Sequence, residues 1–493
     1  MLRLLREHRT FFLGTTFAAL TLRLLFFVYF PTVTDDSRAY ADIATNWLQH
    51  GIYGQTQTGP QIGSQTEKII PTDTRLPGYP AFLAAIFCLF GAANFKAVML
   101  VQILLDLATC LVVADLARRA LSPSAAKIAF LLAALCPFLA NYAAAVLTET
   151  LEIFFTALAL DCTIAALNQM PEGRKGMGGL KLWAAAGAAI AASILLRPDG
   201  GILLAAVLLY LAVSQAWKRT PVPVGITSRQ ANPSFVRAAI IVALFALLPL
   251  LPWTIRNFRT LHHFQPLAPR YANATDEPSL PGFNRWVKTW IVDYASVEEI
   301  YWNVPGDLID PQKLPSRAFE NPAEQEATLA AIADYNQTHD MTPNLDARFA
   351  HLAASRIRAH PLRYYAGLPL LRIADMWLSP RIEILPPDVR WWEFNDDRWH
   401  SWMAVTFGAL NLAYVGTALL AFFLWAIPRG NSHQPSAISW VGLLAVFLLL
   451  RSTFLGTLEN PEPRYTLECY PAVIVLAAAA LAQATTRARL SKS

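Results

Sequence analysis

The sequence is poor in charge. Asp, Glu, Lys and Arg make up only 15% of its 493 residues, against about 25% in soluble globular domains. Set beside a hydrophobic share of 55%, that shortage excludes a soluble enzyme and gives an integral membrane protein. Cysteine is scarce too: Cys88, Cys110, Cys136, Cys162 and Cys469 are the five. None stands at metal-ligand spacing, and all lie in or beside apolar segments, where a thiol packs as a small apolar side chain. They leave the redox compartment open. Internal repeats, low-complexity tracts and glycine-rich phosphate loops are lacking. The net charge of +5 is small for the length, which argues against a nucleic-acid partner. The start, "MLRLLREHRTFFLGTTFAALTLRLLFFVYFP", has no small-residue cleavage site, and its apolar core is too long for a signal peptide. It reads as a retained first helix with a cytoplasmic N-terminus.

What is present is a series of apolar runs. They lie near 10–31, 77–91, 95–117, 125–147, 149–169, 181–197, 199–217, 235–256, 402–428, 436–456 and 465–486. If all eleven crossed, the basic loops "RRALSPSAAK", "NQMPEGRKGMGGLK" and "WKRTPVPVGITSRQ" would fall outside, against the positive-inside rule. The run 77–91 is short and begins "LPGYPAF", so it reads as a dipping or interfacial helix. About ten spanning helices remain. All three loops then fall inside, as do "PRGNSHQ" and the tail "TTRARLSKS". The expected fold class is an all-α polytopic membrane protein. Its expected domains are an amino-terminal membrane module over 1–256 with its first outer loop at 32–94, a mainly helical outer region over 257–401, and carboxy-terminal membrane helices over 402–493.

This parity gathers the odd polar groups on one side. Asp35 and Asp36, Arg75, Glu149, Arg197 with Asp199, Arg256, and Glu462 with Arg464 all fall at the outer boundary. In "DDSRAYADIATNWLQHG", Tyr40, Ile43, Ala44, Trp47 and Leu48 share a helical face and Gly51 ends the segment, which predicts an amphipathic helix on the membrane surface. One aspartate suffices to cap that helix, worth about 1 kcal/mol, so the second needs another reason. Arg75 suits a lipid phosphate through paired charge-assisted hydrogen bonds, or snorkels to headgroups. Arg23, inside the first apolar run, should face the bundle interior and find an acidic partner. His262 and His263 have no third ligand at metal spacing. Trp286, Trp290, Trp302, Trp377, Trp391, Trp392, Trp399 and Trp402 cluster in the outer region or at its edge, where interfacial anchoring explains most of them, and one or two could stack on a sugar ring. In the same region "NPAEQEATLAAIADYNQ" and "NLDARFAHLAASRIRAH" read as helices, the second with Leu345, Phe349, Leu352 and Ile357 on one face. "LRYYAGLPLLRIADMWLSP" reads as an interfacial helix.

In order along the chain, "DDSRAYADIA", "RLPGYPAFLAAIFCLFG", "LTETL", "LLRPDG", "LPWTIRN" and "PEPRY" resemble the motifs of the C-type glycosyltransferase superfamily. The chain looks most like the bacterial relatives of protein O-mannosyltransferase and lipid A aminoarabinose transferase. The resemblance covers roughly residues 10 to 260 well and the carboxy-terminal helices loosely. It implies a seven-helix module, an active site at the outer membrane face of a bacterial inner membrane, and a polyprenyl-phosphate-sugar donor. It also implies that the first-loop aspartate is the catalytic carboxylate: Asp36, four residues before Tyr40, matches better, with Asp35 behind it. Arg75 stands where the family's phosphate-binding lysine would be. Glu149 matches an acidic residue at a helix start. Tyr40, Tyr79, Arg197, Arg256, Arg464 and Tyr465 complete the expected substrate-binding set.

On this reading Asp36 takes the proton of an acceptor hydroxyl, on a protein, a lipid or a glycan, and Arg75 stabilises the departing lipid phosphate, helped by Arg464 or Arg256. Direct attack predicts inversion. A single phosphate leaving group demands no metal, although an acidic cluster could hold a divalent ion. Two rivals are a flippase for a lipid-linked sugar and a non-catalytic partner in glycan assembly. Against the first stand the lack of an inverted repeat and the gathering of polar groups at one face. Against the second stands the intact set of Asp36, Arg75, Glu149 and Arg464.

Overall fold

The computed structural model describes residues 1–61, 64–170, 177–217, 233–270, 279–426 and 437–490. The basic segments "NQMPEGRKGMGGLK", "WKRTPVPVGITSRQ", "PRGNSHQ" and the tail fall wholly or partly outside them. The chain divides into two compact units. The first comprises residues 1–277, 416–448 and 468–493, and the second comprises 278–415 and 449–467. Of the polar region expected at 257–401, residues 278–401 thus group with 449–467, a tie that distance along the chain conceals, whereas 257–277 stay with the first unit.

In the first unit, α1 (Arg9–Tyr29) leads to α2 (Asp35–His50). A hairpin of β1 (Gly54–Gln61) and antiparallel β2 (Ser64–Pro71) follows, with Gly54 opposite Pro71. Then come α3 (Gly78–Phe90), α4 (Phe95–Ala120), α5 (Pro123–Ala134), α6 (Pro137–Ala143), α7 (Glu149–Asn168), α8 (Met177–Leu196), α9 (Gly201–Trp217), α10 (Pro233–Leu247) and α11 (Leu250–Leu261). The second unit holds α12 (Pro281–Val287), α13 (Pro322–Thr338), α14 (Pro343–Ala359) and α15 (Leu368–Leu378). The carboxy-terminal helices are α16 (Arg398–Ala426), α17 (Ala437–Gly456) and α18 (Tyr470–Leu490). Among the described residues, eight helices are long and apolar enough to cross a membrane, and nine if α5 and α6 form one bent span. Ten were expected; Trp440–Gly456 of α17 and Gly78–Phe90 of α3 are shorter apolar helices outside that count. At 13 residues, α3 reaches only about 20 Å, short of a hydrocarbon core of about 30 Å. Its Gly78 is obligatory, because a Cβ there would lie 2.6 Å from the Leu195 carbonyl oxygen.

The run 125–147, expected as one crossing, is bent by 52° between α5 and α6. Pro137 has no N–H to offer the Ala133 carbonyl. Arg23 supplies the donors instead: its guanidinium bonds the Ala133 oxygen at 3.2 Å and the Ala134 oxygen beside it. It also has the expected acidic partner, Asp106, at 2.6 Å, and both side chains are buried.

The second unit has a core of its own, and two of the eight tryptophans expected mostly at an interface lie in it. Trp286 and Trp290 are fully buried, packed on Phe349 and Ile332, so they build the core and do not anchor an interface. Trp302, Trp392, Trp399 and Trp402 are exposed. The predicted face of α14 is correct: Leu345, Phe349, Leu352 and Ile357 are all buried.

Candidate functional site

The first-loop site begins at the start of α2. The helix is capped by neither aspartate. Thr34 is the cap: its hydroxyl accepts from the Ser37 N–H at 3.3 Å, and the Ser37 hydroxyl accepts from the Thr34 N–H at 3.0 Å. Asp35 and Asp36 occupy the first turn, where a negative charge complements the helix dipole. They diverge from there. The Asp35 side chain is 99% exposed and pairs with Arg38 at 2.6 Å. The Asp36 side chain is 40% exposed and pairs with Arg75 at 2.9 Å.

The Arg75 guanidinium also lies over the Tyr40 ring, 5.7 Å from its centre. Tyr40 in turn meets Tyr79 edge-on at 5.1 Å. Burial pushes the Tyr40 phenol up to about 12, so it is protonated at neutral pH and serves as a donor or a stacking face. Asp36, Arg75, Tyr40 and Tyr79 are therefore brought together, as the motifs implied. The amphipathic face of α2 packs inward through Ala41, Ile43 and Ala44, whereas Trp47 and Leu48 stay exposed. Gly51 ends the helix in the left-handed conformation at φ 69°, as expected.

Glu149 begins α7 and is buried. Its partner is Arg197 at 3.8 Å, which also faces Glu152 at 3.7 Å and Asp199 at 3.5 Å. Glu468 interacts with Glu152 as well. One guanidinium thus answers a group of buried carboxylates. Glu152 and Glu468 were missed by the motif reading, although Glu149 and Glu152 at a spacing of three share a helix face. Among the described residues no group of three or more His, Cys, Asp or Glu side chains is arranged to hold a metal ion.

Arg256 contacts the hairpin. Its guanidinium donates to the Thr72 carbonyl at 2.7 Å and to the Tyr53 carbonyl, the residues that flank the hairpin. It stacks on the rings of Tyr53 and Trp253 at 5.1 and 5.2 Å. Arg256 therefore holds the hairpin's two ends together. The hairpin is also pinned to α2, where the Asp42 carboxylate accepts from the Thr56 N–H and hydroxyl, both at 2.7 Å. His263 pairs with Asp73 at 2.8 Å. Arg464 and Tyr465 belong to the second unit. There Arg464 pairs with Glu462 at 2.6 Å, and the Tyr465 hydroxyl donates to the same carboxylate.

Residues 74–253 match the family described as dolichyl-phosphate-mannose-protein mannosyltransferase. The fold resembles that of polytopic membrane proteins of known structure. The archaeal oligosaccharyltransferase AglB from Archaeoglobus fulgidus, solved with an inhibitory peptide and a dolichol-phosphate, superposes with a TM-score of 0.54 at 12% identity, covering 99% of this chain and 52% of that one. Its apo form gives 0.52 at 13% identity, covering 98% and 51%. The chain thus spans about half the length of these archaeal structures. ArnT from Cupriavidus metallidurans bound to undecaprenyl phosphate gives 0.38 at 16% identity, covering 94% and 77%. No curated protein sequence matches.

Proposed function

We propose that the protein moves a sugar from a polyprenyl-phosphate donor to an acceptor hydroxyl at the outer face of a bacterial inner membrane. The observation that carries this reading is the half-exposed Asp36–Arg75 pair, joined at 2.9 Å. A general base and a phosphate-binding cation stand side by side, at the end of a helix that two other residues cap. The family match over 74–253 supports it, as does the dolichol-phosphate bound in the archaeal enzyme of like fold.

The Asp36 carboxylate takes the proton of the acceptor hydroxyl as its oxygen attacks the anomeric carbon. The bond from that carbon to the phosphate oxygen breaks, and its electron pair leaves with the lipid phosphate. A guanidinium carries five N–H donors in a planar fork, a geometry that suits a carboxylate on one edge and phosphate oxygens on another. A single displacement inverts the anomeric centre. The carboxylates around Arg197 lie on the same unit.

The test uses purified protein in nanodiscs, a panel of undecaprenyl- and dolichyl-phosphate sugars, and release of lipid phosphate as the readout. Asp36→Asn should lower turnover at least about a hundredfold, and Arg75→Ala by about 10²–10³, with both variants folded. Full activity in Asp36→Asn would refute the base assignment. Donor binding without turnover in the native protein would favour a flippase.

A further inference from the structure

The Asp36–Arg75 pair is closed into a ring of contacts by a residue that none of the motifs contains. Gln102 lies on α4 and is fully buried. Its amide nitrogen donates to the Ala145 carbonyl at 2.6 Å, and its amide oxygen accepts from the Tyr79 hydroxyl at 2.8 Å. A carbonyl only accepts, so the nitrogen must face Ala145 and the oxygen is left for the phenol. From Tyr79 the contacts run to Tyr40, to Arg75 and to Asp36.

From Ala145 they run the other way round. Residues 144–146 pair with Thr32 through two backbone bonds of 3.0 Å: the Thr32 N–H donates to the Ala144 oxygen, and the Val146 N–H donates to the Thr32 oxygen. The Ser37 hydroxyl, one residue past Asp36, donates to the Val146 oxygen at 2.7 Å. The same segment runs on into Glu149, at the start of α7. Both arms of the ring therefore end at Asp36, one through its backbone and one through its side chain. Gln102 thus has a hydrogen bond into each arm.

We propose that Gln102, with Ser37, is a positioning residue for the transferase reaction: it fixes the Asp36 carboxylate relative to Arg75 through the 144–146 segment and Tyr79. The proposal rests on the functional reading above. A misplacement of about 1 Å at a reacting group costs on the order of a hundredfold in rate, and a buried amide with both ends engaged resists such a shift.

The experiment measures turnover and undecaprenyl-phosphate affinity for Gln102→Leu, Ser37→Ala and Tyr79→Phe, the last keeping its ring against Tyr40. Gln102→Leu and Ser37→Ala should each lower kcat about 10- to 100-fold and change lipid-phosphate affinity less than about threefold. In an Asp36→Asn background, Gln102→Leu should cost no further rate, because it acts through that carboxylate. Independent, multiplying losses overturn the proposal, as does a parallel fall of rate and affinity. Should Gln102→Leu fail to fold, Tyr79→Phe decides by the same criteria. If the native protein turns over none of the donors, the transferase reading has failed. The ring is then judged by amide exchange, which Gln102→Leu should speed about tenfold at Thr32, Ser37 and Val146. Unchanged exchange there refutes it.

Discussion

Arg75 in the first loop and Arg372 in the second unit are both arginines held by neighbours, and they are held in opposite ways. Arg372 is fully buried. Its guanidinium spends its donors on backbone carbonyls, those of Ile291 at 2.9 Å, Gly456 at 3.3 Å and Lys288. Such an arrangement is rigid and offers nothing to a ligand. The Arg75 side chain is 20% exposed, with a carboxylate and an aromatic face as its neighbours. A carboxylate can exchange its partner for a phosphate. A peptide carbonyl locked into a core cannot. The two arginines thus differ in their partners, a half-buried carboxylate and aromatic ring for one and buried backbone carbonyls for the other.

That contrast can be broken or sharpened by measurement. Asp36→Asn should abolish most turnover, on the order of a thousandfold, while the thermal midpoint moves little. A variant that unfolds would move Asp36 to the scaffold side. Arg372→Leu should do the reverse, destabilising the second unit by about 3 kcal/mol, because three buried carbonyls lose a donor. Denaturant unfolding followed by tryptophan fluorescence reads this through Trp286 and Trp290.

A third measurement uses pH. Burial raises the carboxyls of Asp375 and Glu383 to about 7 from ordinary values near 4. Folded protein therefore holds protons there that the unfolded chain has released. Their contribution is fully present below about pH 4 and is lost as pH rises through about 7, by up to about 1.4 kcal/mol per pH unit for each group. Asp375→Asn should flatten that slope. Next in size is Arg256→Ala, which should free the hairpin ends at Tyr53 and Thr72. Limited proteolysis within 54–71 should quicken and turnover should fall about tenfold, a smaller loss than at Arg75. The smallest effect belongs to Asp35→Asn, less than about twofold on turnover, because its side chain faces solvent and Arg38.

Much of this was legible in the sequence, for physical reasons that differ by element. The crossing helices announce themselves by length, and Arg23 had to find an acid because a lone guanidinium at that depth is costly. Gly51 ended α2 as expected because the left-handed cap favours glycine. The hairpin was not legible: "GQTQTGPQIGSQTEKIIP" has no apolar alternation to mark either strand, and α2 and Arg256 hold it in place. The cap at Thr34 was hidden because Ser37 plays the part that glutamate or glutamine usually plays. Trp286 and Trp290 looked interfacial by composition, although a spacing of four, one helical turn, hinted at a shared buried face. Gln102 drew no notice as a single amide in "AVMLVQILLD", yet one polar group in an apolar crossing is the kind of residue that must find partners.

The bend between α5 and α6 has an evolutionary consequence. Arg23 grips main-chain oxygens of Ala133 and Ala134, not their side chains. Small residues of any kind can therefore replace one another at those two positions. The number of residues between Pro123 and Pro137 has no such freedom. Adding one would swing α5 by about 100° and carry the gripped carbonyls away from Arg23. Sequence drift should thus substitute freely inside the segment and conserve its length.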